Sequence, residues 1–178
     1  MRDIPREEEE KEEENQIQNV DVVEVDLGIP AQPAPRTEAV MMQEFMKLQE
    51  QRCVAYNTLE RCMREFRQMK QLCAFQGTMK EITETFQTVS LAIIQLSKEL
   101  KEAGHLQSSK YCEDLQELEQ MKLKLTAEMH IKLQALSRND NEEDKAEVRR
   151  LTAENRRLIF KINDVLNLIR YKARPQEA

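Results

Sequence analysis

Apolar residues recur along this chain at helical spacing in four successive runs, separated by short breaks. The first run, Met41, Phe45, Leu48, Arg52, Ala55, Leu59, Cys62, Phe66, Met69 and Cys73, steps alternately by three and four and has one charged member, Arg52. Gly77 interrupts it. Thr78-x-x-Glu81 then fits a capping box, in which a hydroxyl and a carboxylate take up the free amides of a new helix start. The second run, Met79, Ile82, Phe86, Val89, Ile93, Leu96 and Leu100, continues without a fault to Gly104, which suits the left-handed turn that ends many helices.

The third run is less regular. Over MKLKLTAEMHIKLQAL, residues 121–136, apolar and polar positions alternate as they would in a half-buried strand. An unbroken strand of that length would extend roughly 50 Å, far beyond the usual five or six residues. Leu, Met, Lys, Ala, Glu and Gln dominate, and these favour helix. Ser108 or Ser109 can cap this helix, with Tyr111, Leu115, Leu118, Leu125, Met129 and Leu136 on one side and Met121, Leu123, Ile131 and Leu133 on others. Apolar groups on several sides predict a central helix. After SRNDNEED, where Asp140 or Asn141 can cap, the fourth run holds Val148, Leu151, Asn155, Leu158, Ile162, Val165 and Ile169, widened by Ile159, Phe160 and Leu166.

The pattern therefore predicts an all-α fold: an elongated antiparallel helical bundle or coiled coil of about four helices, near 38–75, 79–103, 109–137 and 141–172, in one domain over 37–174. Composition agrees, with three Gly, no Trp, 4% aromatic and 34% charged residues, as long helices with few tight turns require. Residues 1–36 differ. They contain EEEEKEEE, VDVVEVD and the Pro-rich IPAQPAPR, too polar to offset chain entropy by burial, which predicts a disordered acidic tail. This stretch has eleven acids against four bases, a net of −7, so of 33 acids and 27 bases in all, 22 and 23 remain elsewhere, a net of +1.

MRDIPREEEE is acidic where a signal peptide needs a basic region and an apolar core, and no apolar run approaches the roughly 18 residues of a membrane span. The expectation is an intracellular protein, nuclear and/or cytoplasmic, neither secreted nor bound to membrane. Cys53, Cys62, Cys73 and Cys112 are too far apart for a CxxC pair, and the two histidines are His105 and His130, so no metal site is expected. Cys62 and Cys73 fall on the first apolar run and read as reduced core thiols. The glutamates lie among lysines and arginines on helix faces, with no Gly-rich phosphate loop and no Ser-His-Asp set, so neither catalytic residues nor a cofactor are expected.

Candidate contacts with partners lie in the fourth helix and the tail. Val148 and Asn155 share one heptad position, where a buried amide costs stability and fixes register. Asn155, Leu158, Ile162, Val165 and Ile169 thus form a candidate interface with another helical protein or a second copy, with a solvent edge for Asn155 as the plainer account. Val20, Val22, Val23 and Val25 resemble the short strand-forming motifs that bind a SUMO-like modifier, although an acidic tail needs no such partner. Arg149, Arg150, Arg156 and Arg157 repeat at seven residues and, with Lys172 and Arg174, could touch phosphate. Glu147 and Glu154 flank them and no aromatics interleave to stack bases, so a solvated face is expected and direct nucleic-acid binding is disfavoured. EEDKAEVRR before the heptads is not the basic region of a leucine zipper.

Three segments carry a family resemblance: FMKLQEQRCVAYNTLE at 45–60, FQTVSLAIIQLSKEL at 86–100 and DLQELEQMKLKLTAEMHIKLQ at 114–134. Their most specific parts are Leu48-Gln49-x-x-Arg52, Tyr56-x-x-Leu59-Glu60, Leu115-Gln116-x-Leu118-Glu119 and Lys122-Leu123-x-Leu125-Thr126. In this order, over roughly 40–172, the chain resembles the required-for-excision B-type DNA repair domain family. The resemblance implies a link to repair of damaged DNA and carries no catalytic residues with it. Arg52 belongs both to the first run and to a family-like segment, and the expectation is that its stem lies along the core with its guanidinium in water. The resulting functional expectation is a non-enzymatic helical adaptor or scaffold linked to excision repair. The alternative is a structural coiled-coil subunit of a cytoskeletal, ciliary or trafficking assembly.

Overall fold

The computed structural model describes residues 36–69 and 72–174, the side chains of 72 and 73 excepted. The candidate tail motif Val20, Val22, Val23 and Val25 lies outside the described residues. Four helices follow one another: α1 Glu38–Met69, α2 Leu72–Glu102, α3 Leu106–Leu136 and α4 Glu142–Lys172, with no strand among the described residues. At about 1.5 Å per residue each is roughly 46 Å long. Among these residues no helix is long and apolar enough to cross a membrane.

The bundle runs up, down, up, down. Successive helices pack as antiparallel neighbours, α1 closes on α4, and α1 also touches α3, whereas α2 and α4 do not meet. Both α1 and α3 thus contact all three others, so α3 is no more central than α1, and Met121 and Ile131 of its alternating stretch, expected to be buried on other sides, are 47% and 67% exposed because no helix covers that side. At the end that holds the start of α1, all four helices contribute apolar groups: Met42 and Phe45 from α1, Ile93 and Leu100 from α2, Cys112 and Leu115 from α3, Ile162 and Ile169 from α4. At the other end the cluster comes from α1 and α2, with Ala55, Tyr56, Leu59, Cys62, Ile82 and Phe86 joined by Leu123 of α3.

The second run is buried as the spacing requires: Ile82, Phe86, Val89, Ile93, Leu96 and Leu100 all lie in the core. Gly104 has φ 84°, and it ends α2 by donating to the Lys101 carbonyl at 3.1 Å while His105 N–H reaches Leu100 at 2.8 Å, the two bonds of a Schellman turn. Asn141 caps α4 by accepting from the Asp144 amide at 2.7 Å, and Glu142, Glu143 and Asp144 complement the positive end.

Two expected helix starts are displaced. Gly77 and Thr78 lie inside α2, which begins at Leu72, so the capping box does not form. Phe75 explains this, stacking on Phe66 of α1 with ring centroids 4.1 Å apart, a contact that outweighs the ~1 kcal/mol disadvantage of glycine in a helix. Likewise α3 starts at Leu106, and neither Ser108 nor Ser109 caps it. Both serines turn inward: Ser108 Oγ donates to Glu38 at 2.5 Å, and Ser109 Oγ meets Ser97 Oγ at 3.0 Å, where their small size lets α2 and α3 approach.

The largest departure concerns the side of α3 that is buried. Leu118, Leu125 and Met129, expected on the core face, are half-buried on its flanks, whereas Cys112, Leu115, Glu119, Thr126 and His130 are fully buried. Three of those five are polar. Glu119 and His130 have partners on α1.

Candidate functional site

Helix α1 meets α3 as a parallel neighbour through a ladder of polar side chains. Glu38 bonds Ser108, Gln49 bonds Glu119 and Glu60 bonds His130, so every rung joins residues 70 apart and the rungs recur every eleven residues on both helices. Eleven residues at 100° each return a helix to the same face within about 20°, which keeps the rungs in line along nearly straight helices.

The middle rung is the most developed. Gln49 Nε2 donates to Glu119 Oε1 at 2.5 Å, and Gln49 Oε1 accepts from Arg52 Nη1 at 3.3 Å. The other guanidinium nitrogen, Arg52 Nη2, donates to Gln116 Oε1 at 2.6 Å and to Ser90 Oγ at 3.3 Å, which ties α2 into the seam. Arg52 is only 2% exposed, so its guanidinium is not in water as expected but inside the bundle. The physical reason is its supply of acceptors: three side-chain oxygens and the nearby Glu119 carboxylate replace solvent. Burial lowers the Arg52 pKa, and the Glu119 charge opposes that shift.

Tyr56 closes the rung. Its hydroxyl donates to the Glu119 carbonyl at 3.2 Å, its ring meets Phe86 edge-on with centroids 4.8 Å apart, and Lys122 Nζ stands 3.6 Å over the ring centroid. Burial and the Glu119 charge push the phenol pKa upward. Lys122 also reaches Glu119 Oε2 at 3.5 Å. Glu119 thus receives bonds from two helices.

At the upper rung, His130 is 1% exposed between Arg67 and Glu60. Arg67 Nη1 donates to Nδ1 at 3.1 Å, which leaves the ring proton on Nε2 facing Glu60 Oε1 at 3.2 Å. Burial lowers the His130 pKa; Glu60 opposes this and Arg67 adds to it. At the lower rung, the Ser108 hydroxyl and Lys172 hold the Glu38 carboxyl below its ordinary range.

The inner members of this ladder, Gln49, Arg52, Glu119 and His130, have their partners away from solvent, while Glu60 is part-exposed. Their chemical effect is on structure, since a slip of α1 along α3 would strand several buried polar groups at once. Gln49, Arg52, Tyr56, Glu60, Gln116, Glu119 and Lys122, polar residues among those that carry the family resemblance, all belong to this seam. Heptad spacing does not single them out. Polar residues repeating every eleven positions on two helices would have done so.

The other predicted residues are on α4. Leu158, Ile162 and Ile169 are buried in the chain's own bundle and Val165 packs against it, so this stripe faces α1 and α3 and is not open to a partner. The reason is that α4 has one broad apolar face and the bundle already occupies it. Asn155 is half-buried, and its Oδ1 is buried without a hydrogen-bond partner. Arg149, Arg150, Arg156 and Arg157 are all exposed. Arg150 pairs with both flanking acids, Glu147 and Glu154, at 2.8 Å each. Of the residues expected to widen the apolar face, Leu166 is buried, whereas Phe160 is 71% exposed. Among the cysteines, Cys62 and Cys112 are buried and Cys53 is exposed. The side chain of Cys73 lies outside the described residues.

The model of one protein family, DNA repair REX1-B, matches residues 40–133, more than half of the chain. No curated protein and no solved structure matches. The matched segment runs from the first turn of α1 nearly to the end of α3 and includes the middle and upper rungs, with α4 outside it.

Proposed function

The chain belongs to the DNA repair REX1-B family, and from that premise we propose that it acts as a non-enzymatic adaptor or scaffold in excision repair. One observation carries this reading. Gln49, Arg52, Glu119 and His130, all polar residues of the family-like segments, are turned into the bundle and buried. A catalytic set must reach its substrate. A seam of this kind fixes the register of two long helices and leaves the outer faces of the bundle for other proteins.

In this reading the rigid part is the ladder between α1 and α3, and partners are helical proteins that meet the outside of the bundle. A SUMO-like modifier at Val20, Val22, Val23 and Val25 and a nuclear location remain parts of the same proposal. Proximity labelling in cells, with and without DNA damage, tests it. The expected result is enrichment of repair proteins after damage, together with heightened damage sensitivity on deletion. Labelling confined to cytoskeletal, ciliary or trafficking proteins, with unchanged sensitivity, would overturn it in favour of a structural coiled-coil subunit.

A further inference from the structure

The outward side of α4 combines unpaired arginines with isolated aromatic rings. Opposite the buried Leu158, Ile162 and Ile169, helical spacing brings Arg149, Arg156, Arg157, Phe160 and Tyr171 to the exposed side. Phe160 is 71% and Tyr171 70% exposed, so two open aromatic rings follow the arginine row on the same side of the helix. Of the acids that weighed against phosphate contact, Glu147 and Glu154 both turn to Arg150, which offsets one of their two charges and leaves the other arginines out of that cluster. Among the described residues, Arg149, Arg156 and Arg157 form no ion pair. Asp164 is the one acid between Phe160 and Tyr171, and Lys161 and Arg170 are close to it in sequence.

We propose that this face of α4 binds single-stranded nucleic acid, with Arg149, Arg156 and Arg157 on phosphates and Phe160 and Tyr171 stacking on bases. Charge complementarity selects a polyanion. The arrangement of the rings then selects its type. A partner helix would need a continuous apolar ridge to bury, but Phe160 is surrounded along the helix by Arg156, Arg157, Asp164 and Asn167, and Tyr171 has Leu168, 47% exposed, as its one apolar neighbour a turn away, so the two rings are not joined by an apolar ridge. An isolated exposed ring beside guanidinium groups suits a single base, whose flat face a duplex would conceal. The face lies outside the family-matched segment and does not depend on the adaptor reading.

The test uses the full chain and a fluorescent oligo-dT of about 15 nucleotides, followed by anisotropy from low to moderate salt. Binding should weaken with salt, and the logarithmic slope should fall by about 0.7 for each of Arg149→Gln, Arg156→Gln and Arg157→Gln. Phe160→Ala and Tyr171→Ala should each weaken binding by roughly tenfold with the slope unchanged. Phe160→Leu, which keeps apolar bulk but not the ring, should behave like Phe160→Ala and melts as a check on folding. Several results would overturn the proposal: no binding at low salt, equal binding of a blunt duplex or of poly-glutamate, or wild-type affinity after both ring replacements.

Discussion

Replacing Arg52 by methionine removes a guanidinium while keeping most of its apolar stem, so it separates the two roles open to this side chain. If the stem alone mattered, with the charge in water, the change would be nearly neutral. The structure gives a different expectation. Arg52→Met strands the Gln116 oxygen, bonded at 2.6 Å, and those of Gln49 and Ser90, each at 3.3 Å, and it takes from Glu119 one of its two neighbouring cations, with Lys122 the one that remains. Breaking a buried charged network by removing one member costs about 3–5 kcal/mol. Against a domain stability of roughly 5–15 kcal/mol that is a large loss.

A double-mutant cycle with Glu119→Met makes the test sharper. Each single variant removes one of two opposite buried charges that favour each other, whereas the double variant removes both, so its cost should fall short of the sum by at least about 1.5 kcal/mol. Urea unfolding followed by far-ultraviolet circular dichroism gives all four free energies. An Arg52→Met cost below about 1 kcal/mol, with strictly additive effects, would refute the reasoning and return the guanidinium to solvent.

Asn155→Leu should stabilise the bundle by about 1–3 kcal/mol, because it replaces a buried acceptor that has no partner, and light scattering should show the same mass for both forms. For His130 the folded pKa is below the unfolded value of about 6.5, so the unfolded chain binds the proton more readily and stability rises with pH between the two. The His130 contribution is present above about pH 6.5 and is lost as pH falls through that value toward the folded pKa; melts from pH 8 to 5 should show this slope, and His130→Gln should remove it. In native protein, maleimide should modify exposed Cys53 while Cys112, whose thiol burial pushes up to about 12, reacts only after denaturation, as mass spectrometry would show. Gly77→Ala should stabilise by about 1 kcal/mol, since the glycine is inside α2 with nothing within 4 Å of an added Cβ, whereas Gly104→Ala at φ +84° should destabilise by about 1–2 kcal/mol. Thermal melts of the two glycine variants should move in opposite directions.

How much the sequence revealed depended on whether the decisive contacts were local. The run from Ile82 to Leu100 was legible because one periodic stripe faces one core, and the Schellman turn at Gly104 was legible because its chemistry is contained within six residues. The start of α2 was not. Glycine and a Thr-x-x-Glu pattern are local signals, and the Phe66–Phe75 stack that overrides them joins two helices. The same distinction explains α4, where Phe160 reads as part of an apolar stripe until helical phase is fixed by the burial of Leu158 and Ile162.

The candidate seam shows why the missing part was also the part nearest to function. In a search for apolar spacing, Glu119, Thr126 and His130 are interruptions, and the apolar residues between them claim the core by default. Apolar groups on α3 can be satisfied on either flank, against α2 or α4, so they do not determine which side faces α1. Buried polar groups have no such freedom: Glu119 needs the donors Gln49 and Lys122, and His130 needs a donor on one nitrogen and an acceptor on the other, which Arg67 and Glu60 supply. A one-turn slip of α1 past α3 would keep much of the apolar burial and break the rungs. The rotation and register of α3 therefore follow from its polar residues. The apolar ones make the bundle stable without making it unique.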